Sequence, residues 1–288
     1  MAEDLAVVLD VAGTMLKMYR VAKDIPRGCI IEKVVTWELI MEKKSRALVV
    51  PQIDPSKVAS CPPLEPVWRL INGRENRIEI SCSSTPVTRE DAIRVLQRSH
   101  ARVADIQEVY RAVRARCPDK YQTTGMIIDI DLEEIAYTIS TGGAPFPGLK
   151  EVLGEIEAIG ADVYVASGDG MQSLVYLADL GIKSDRIYSA ANPRRKSEIV
   201  VELKDKYSKV VMVGDGLNDI YALEAADLGI LSVQQDSRPA QSLLQTADEV
   251  MKDILELPSI LKKVLSEQKM SKQKTSIPET RYLHSSIT

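Results

Sequence analysis

The sequence predicts an α/β protein: a doubly wound, mostly parallel sheet with a mixed α+β domain inserted after its first strand. Three observations predict it. Leu5–Leu9 is a short continuous apolar run ending on Asp10, as expected of a strand buried on both faces. From Leu149 onward, strand-sized apolar runs alternate with amphipathic helical ones, the pattern of βαβ units. The intervening stretch is rich in β-branched residues and proline and follows no such alternation.

Within that stretch, "CIIEKVV" and "RALVV" read as strands, "PQIDPSKVASCPPLEP" as an irregular loop, and "RIEIS" as a further strand. Thr88, with Asp91 three residues on, resembles a capping box and opens one long helix that runs to about Arg116 and stops before Pro118. Arg94, Arg98 and Arg102 form a basic stripe on it, read as a solvated face with an anion-facing surface as the alternative. "GMIIDIDLEEIAYTIS" reads as a hairpin. The helix "LKEVLGEIEAIG", closed by Gly160, follows. Then come "ADVYVAS" (strand), "MQSLVYLADLGI" (helix), "RIYSA" (strand) and "RKSEIVVELKDKY" (helix). "KVVMVGDG" (strand and turn), "NDIYALEAADL" (helix) and "GILSV" (strand) complete the order. The expected division is residues 1–16 plus 122–265 as the core and 17–121 as the inserted domain. Residues 266–288 are polar and are expected to form a mobile tail.

Composition removes several function classes. A net charge of -4 argues against a general nucleic-acid binder. No apolar stretch approaches the roughly 20 residues of a membrane span. "MAEDLAVVLD" lacks the basic start and cleavage site of a signal peptide. The four cysteines form no CxxC pair and the two histidines sit in no motif, which disfavours zinc, disulfide and Ser-His-Asp chemistry and makes a reducing cytoplasm the expected home.

Four features follow apolar runs, where open α/β sheets place their ligands. These are Asp10, Ser167 in "VYVASGDG", Lys196 in "NPRRK", and Asp215 with Asp219 in "VMVGDGLND". Asp10 at a strand tip can attack phosphorus. Two more carboxylates nearby would need compensation, which Mg²⁺ supplies through oxygen ligands. Lys196, the Ser167 hydroxyl and backbone N–H groups beside glycine would meet phosphate oxygens.

These residues resemble the four motifs of the haloacid dehalogenase superfamily of phosphotransferases: "LDVAGT", "VASGD", "NPRRK" and "VGDGLND". From Gly160 to about Lys262, "SGDG", "GDGLNDIYALEAADLGI" and "ADEVMKDILELPSILKKV" are similar to the phosphorylation domain of P-type ATPases, and the missing membrane helices point to a soluble relative. The resemblance implies a Rossmann-like core with an inserted cap. It implies Asp10 and Lys196 as catalytic residues and Mg²⁺ held by Asp10, the Ala12 carbonyl, Asp215 and Asp219. Thr14, Ser167, Gly168, Lys196 and Asn218 would hold the substrate phosphate. The substrate would be a small phosphorylated molecule, and the cap surface could pair two copies.

Ala12 departs from that family's phosphatases, which carry an aspartate there as general acid and base, a function commonly worth about 10² to 10⁴ in rate. Three readings follow: a phosphohydrolase or phosphotransferase for activated phosphates, or one whose acid comes from elsewhere; a C–P hydrolase, since "DVAGT" also resembles phosphonoacetaldehyde hydrolases, with Lys23, Lys33, Lys43 or Lys44 as Schiff base; and a phosphate- or nucleotide-sensing module with little turnover.

Overall fold

The computed structural model describes residues 3–73, 77–118, 121–169, 171–235 and 238–275. Its parallel sheet contains β1 (Glu3–Leu9), β8 (Asp162–Ala166), β9 (Ile187–Tyr188), β10 (Tyr207–Gly214), β11 (Leu228–Ser232) and β12 (Glu249–Met251) in the order β12-β11-β10-β1-β8-β9. Every pairing in it is parallel. The strand order reverses around β1, so a crevice opens at its carboxyl end, beside those of β8 and β10.

The apolar run of β1 is continuous because both faces are covered. Leu5, Val7 and Leu9 pack against α5 (Leu149–Ala158) and α10 (Leu257–Thr275) through Val152, Ile156, Leu257 and Leu261. Ala6 and Val8 face the opposite layer, where α7 (Pro193–Lys204), α8 (Ile220–Ala225) and α9 (Gln241–Thr246) supply Ile199, Leu203, Ala222, Leu223 and Leu243. Each such leucine or isoleucine contributes roughly 1.5–3 kcal/mol by leaving water. Gly160 and Gly181 are left-handed at the ends of α5 and of the "MQSLVYLADL" stretch. That stretch is a short helix, α6 (Met171–Leu174), continued as a 3₁₀ helix over Val175–Leu180, rather than the single helix expected.

A second, antiparallel sheet lies between β1 and β8 in sequence. It contains β2 (Leu16–Asp24), β3 (Cys29–Glu32), β4 (Arg46–Pro51), β5 (Ile78–Ser83), β6 (Tyr121–Asp129) and β7 (Glu134–Pro145), in the order β3-β2-β7-β6-β4-β5. The helices α3 (Arg89–Arg98) and α4 (Val103–Arg116) cover one face, where Val95, Leu96 and Ile106 pack on Val49, Met126 and Ile128. The other face holds α1 (Thr36–Met41) through Leu39 and Ile40.

Four expectations change here. The insert runs to Pro145 instead of residue 121, because the expected hairpin (β6–β7) pairs with β4 and β2 rather than with the parallel sheet. The long helix is two. Ser99 turns extended, and its hydroxyl takes the N–H groups of Ala101 and Ile135, while Asp105 caps the second helix through the Arg102 N–H. The proline-dense loop contains a short helix, α2 (Pro55–Ala59), capped by Asp54. The chain past Ser266 continues α10 to Thr275; the rest of the expected tail, residues 276–288, lies outside the described residues. The Thr88–Asp91 capping box forms as expected. The stripe is a solvated, paired face: Arg94 and Arg98 both meet Glu133.

Candidate active site

β1 ends at Leu9, and the Asp10 N–H donates to the Val213 carbonyl at 2.9 Å, locking the start of the turn to β10. The side chain of Asp10 is buried. Lys196, in the first turn of α7, is fully buried and donates to Asp10 Oδ1 at 2.5 Å and Asp219 Oδ1 at 2.6 Å. Pro193 and the Asn192 side chain, which accepts from the Arg195 N–H, fix that first turn. The second oxygen of Asp219 accepts from the N–H groups of Asp215 and Gly216 at 3.1 and 3.2 Å. Asp10, Asp215 and Asp219 each present an oxygen within 4.8 Å of the others. Three of the sequence-predicted acids and the lysine thus converge.

Two glycines are sterically required. A Cβ on Gly13, at φ +80°, would lie 1.7 Å from Asp215 Oδ2, and one on Gly214 would meet the Asp219 side chain at 2.6 Å. Gly13→Ala should therefore displace Asp215. We expect a loss of about 10²-fold in turnover, the scale of a 1 Å misplacement, and a rise in the Mg²⁺ concentration giving half-maximal rate. Unchanged metal dependence in that variant would contradict the placement of Asp215.

The electrostatics are those of an under-compensated anion cluster. Burial pushes Asp10 up to about 7, Asp219 adding to the rise and Lys196 opposing it. Burial and then the charges of Asp10 and Asp219 raise Asp215 well above the usual carboxylate range. Burial alone would lower Lys196, but the charges of Asp10 and Asp219 hold it above its ordinary value as an ammonium. Among the described residues Lys196 is the one cation bonded to these carboxylates, with Arg20 acting on Asp215 without an ion pair, so three acids remain short of positive charge. A hard, all-oxygen donor set of this kind fits Mg²⁺.

The other predicted residues are placed as follows. Thr14 is fully buried, and its hydroxyl is a buried polar atom without a partner among the described residues. Ala12 lies in the turn between β1 and β2, its methyl offering no proton. Ser167, just past β8, is buried, and its hydroxyl donates to Asp169 Oδ2 at 3.0 Å and accepts from the Asp169 N–H at 3.1 Å. Gly168 would admit a Cβ, its nearest neighbour being the Ala191 carbonyl at 4.0 Å, so no steric contact requires a glycine there. Asn218 is exposed, in the 3₁₀ turn Leu217–Asp219 above Gly216.

Several residues at this site were not singled out in the sequence. Ser232, the last residue of β11, and Gln234, just past it, donate to the carbonyls of Gly13 and Thr14 at 3.0 and 3.2 Å, fixing the turn from behind. Their position after "GIL" at a strand end was the available signal. Asp169 lies in the "SGDG" turn. Tyr121 and Tyr176 stack edge to face at 5.7 Å across the junction of insert and core, and the Asp169 carboxylate is near enough for its charge to raise the Tyr121 hydroxyl, after burial, well above its ordinary value. Arg20, on β2, acts on Asp215 as a nearby positive charge.

A family model described as haloacid dehalogenase-like hydrolase matches residues 5–227. The chain belongs to the haloacid dehalogenase-like hydrolases. A soluble P-type ATPase-like phosphatase of Methanocaldococcus jannaschii is 31% identical over 264 residues, covering 91% of this chain and 94% of that protein. A copper-transporting ATPase of Helicobacter felis is 34% identical over 104 residues, which are 36% of this chain and 13% of the ATPase. Among solved structures, a zinc-transporting PIB-type ATPase is similar over 96% of this chain and 43% of its own, with a TM-score of 0.46 at 15% identity. No helix among the described residues of this haloacid dehalogenase-like hydrolase is long and apolar enough to cross a membrane.

Proposed function

We propose that the chain is a Mg²⁺-dependent phosphatase that works through a phosphorylated Asp10 on a small phosphorylated molecule. One observation carries the reading: a buried strand-end aspartate is held by a buried lysine at 2.5 Å and faced by two further carboxylates. Asp10 attacks phosphorus, and Lys196 orients it and favours its anion against the effect of burial. Thr14, whose buried hydroxyl has no partner among the described residues, would donate to a phosphate oxygen, and Ser167 would do so on turning its hydroxyl from Asp169. Asp10, Asp215, Asp219 and the Ala12 carbonyl would hold the metal, which when bound supplies positive charge for the phosphate oxygens and relieves the crowded acids. The similarity to a soluble P-type ATPase-like phosphatase over nearly the whole chain supports the same class of reaction.

The C–P hydrolase reading gains no support. A Schiff-base lysine must be neutral to attack a carbonyl. Lys23 instead pairs with Asp105 and Glu108, both at 2.7 Å, and is held above its ordinary value by those partners against the effect of burial. Lys43 pairs with Asp129 at 2.8 Å.

Chelation tests the proposal. Hydrolysis of p-nitrophenyl phosphate should fall to background in EDTA and return on adding excess Mg²⁺. Full activity in EDTA would contradict it.

A further inference from the structure

Within that reading, Ala12 leaves the leaving group without a proton donor and the attacking water without a base. We infer that Asp169 fills both positions as the general acid and base of this site. This rests on the phosphatase reading above and adds a residue to it.

In-line transfer fixes where such a group must stand: the leaving oxygen lies opposite Asp10, on the side of the phosphate that faces away from the β1 tip. β1 pairs with β8 in the register Leu9↔Val165, so the loop that follows β8 runs beside the Asp10 tip, and the charge of Asp169 in that loop acts on Tyr121 and Glu79 of the insert. Asp10, Asp215 and Asp219 are gathered on the near side, with Asp10 and Asp219 tied to Lys196. Asp169 stands on the insert side. Its carboxylate bonds the Ser167 hydroxyl at 3.0 Å, and its charge raises the Tyr121 hydroxyl of β6.

The loop is fixed rather than free. The Ala190 N–H donates to the Asp169 carbonyl and the Ala191 N–H to the Ser167 carbonyl, both at 2.8 Å. Ala190 holds φ +51° to do so, a left-handed conformation unfavourable for a residue other than glycine. The charge of Asp169 also reaches Asp10, adding to its rise. Glu79, on β5, is raised by burial and by the charge of Asp169, but Gln52 donates to it at 2.8 Å and it is not among the charges that act on Asp10.

The chemistry balances. In the first step Asp10 bonds to phosphorus, the phosphorus–oxygen bond to the leaving group breaks, and the protonated Asp169 gives its proton to that oxygen. In the second, Asp169 takes a proton from water as the water oxygen bonds to phosphorus. The bond to Asp10 breaks, releasing inorganic phosphate and restoring both side chains. Tyr121 is a positioning residue that orients the Asp169 carboxylate.

The test compares leaving groups. In Asp169→Asn, hydrolysis of glycerol phosphate should fall about 10²- to 10⁴-fold, the usual worth of a general acid. The first, burst turnover of p-nitrophenyl phosphate should change little, because p-nitrophenolate leaves unaided, while the later steady rate falls for want of a base. Adding Ala12→Asp to that variant should restore glycerol phosphate turnover. In the unmodified protein, rates across aryl phosphates whose phenols span pKa about 7 to 10 should depend only weakly on the leaving group; a steep dependence there would overturn the inference without any variant. An Asp169→Asn protein whose alkyl-to-aryl ratio matches wild type, beside an inactive Asp10→Asn, overturns this inference alone. An active Asp10→Asn overturns the phosphatase reading and this inference together.

Discussion

Asp10→Asn should abolish phosphate release, by about 10⁴-fold or more, as loss of a covalent nucleophile does elsewhere. The amide is close to the carboxylate in size and hydrogen-bonding reach, so the effect should be chemical rather than structural. The site makes this separable. In the absence of a divalent ion, burial and Asp219 already push Asp10 up to about 7. A neutral side chain there relieves one of three crowded charges and leaves Lys196 with Asp219 at 2.6 Å. The melting temperature of Asp10→Asn should therefore equal or exceed that of the wild type while activity is lost. Activity and stability falling together would argue that Asp10 is only a structural partner of the lysine.

Lys196→Met should do the reverse and damage both. Lys196 is fully buried, and its ammonium is the only group that donates to both Asp10 and Asp219 among the described residues. Removing one partner from a buried ion pair leaves uncompensated charge, typically about 3–5 kcal/mol. The raised Asp10 and Asp215 lessen this cost, because protonation lets them shed charge. The expected outcome is destabilisation of roughly 3 kcal/mol, a fall of about 6–12 °C in melting temperature for a domain of this size, with turnover down at least about 10²-fold. Added Mg²⁺ should recover part of the stability but not the rate, since the metal replaces charge among the acids without replacing an ammonium at Asp10. A variant as stable as wild type would contradict the buried bridge.

The legible parts of this protein were local. Leu5–Leu9 read as a buried strand because both of its faces meet helices, and a run of that kind has no polar side to mislead. The spacing of Asp10, Lys196, Asp215 and Asp219 could be read because each follows a strand whose end the sheet brings to one edge. What failed depended on distant partners. The β6–β7 hairpin was visible as a hairpin, but its assignment to the insert depends on Tyr19 pairing with Gly142 and Leu48 with Ile127, contacts that no local pattern encodes. The break at Ser99 was hidden because serine is tolerated in a helix; here its hydroxyl is drawn to the Ile135 N–H on β7. Asp169 read as part of a turn. Its surroundings come from Tyr121, far earlier in the chain, and from the strained Ala190 loop.

The central claim is that phosphate passes through Asp10. Acid-quenching the protein with labelled p-nitrophenyl phosphate during turnover, then mapping the label by mass spectrometry, tests it most directly. A hydroxylamine-labile phosphate on the peptide containing Asp10, absent from Asp10→Asn, is the predicted result. Rapid turnover with no label on that peptide would contradict it.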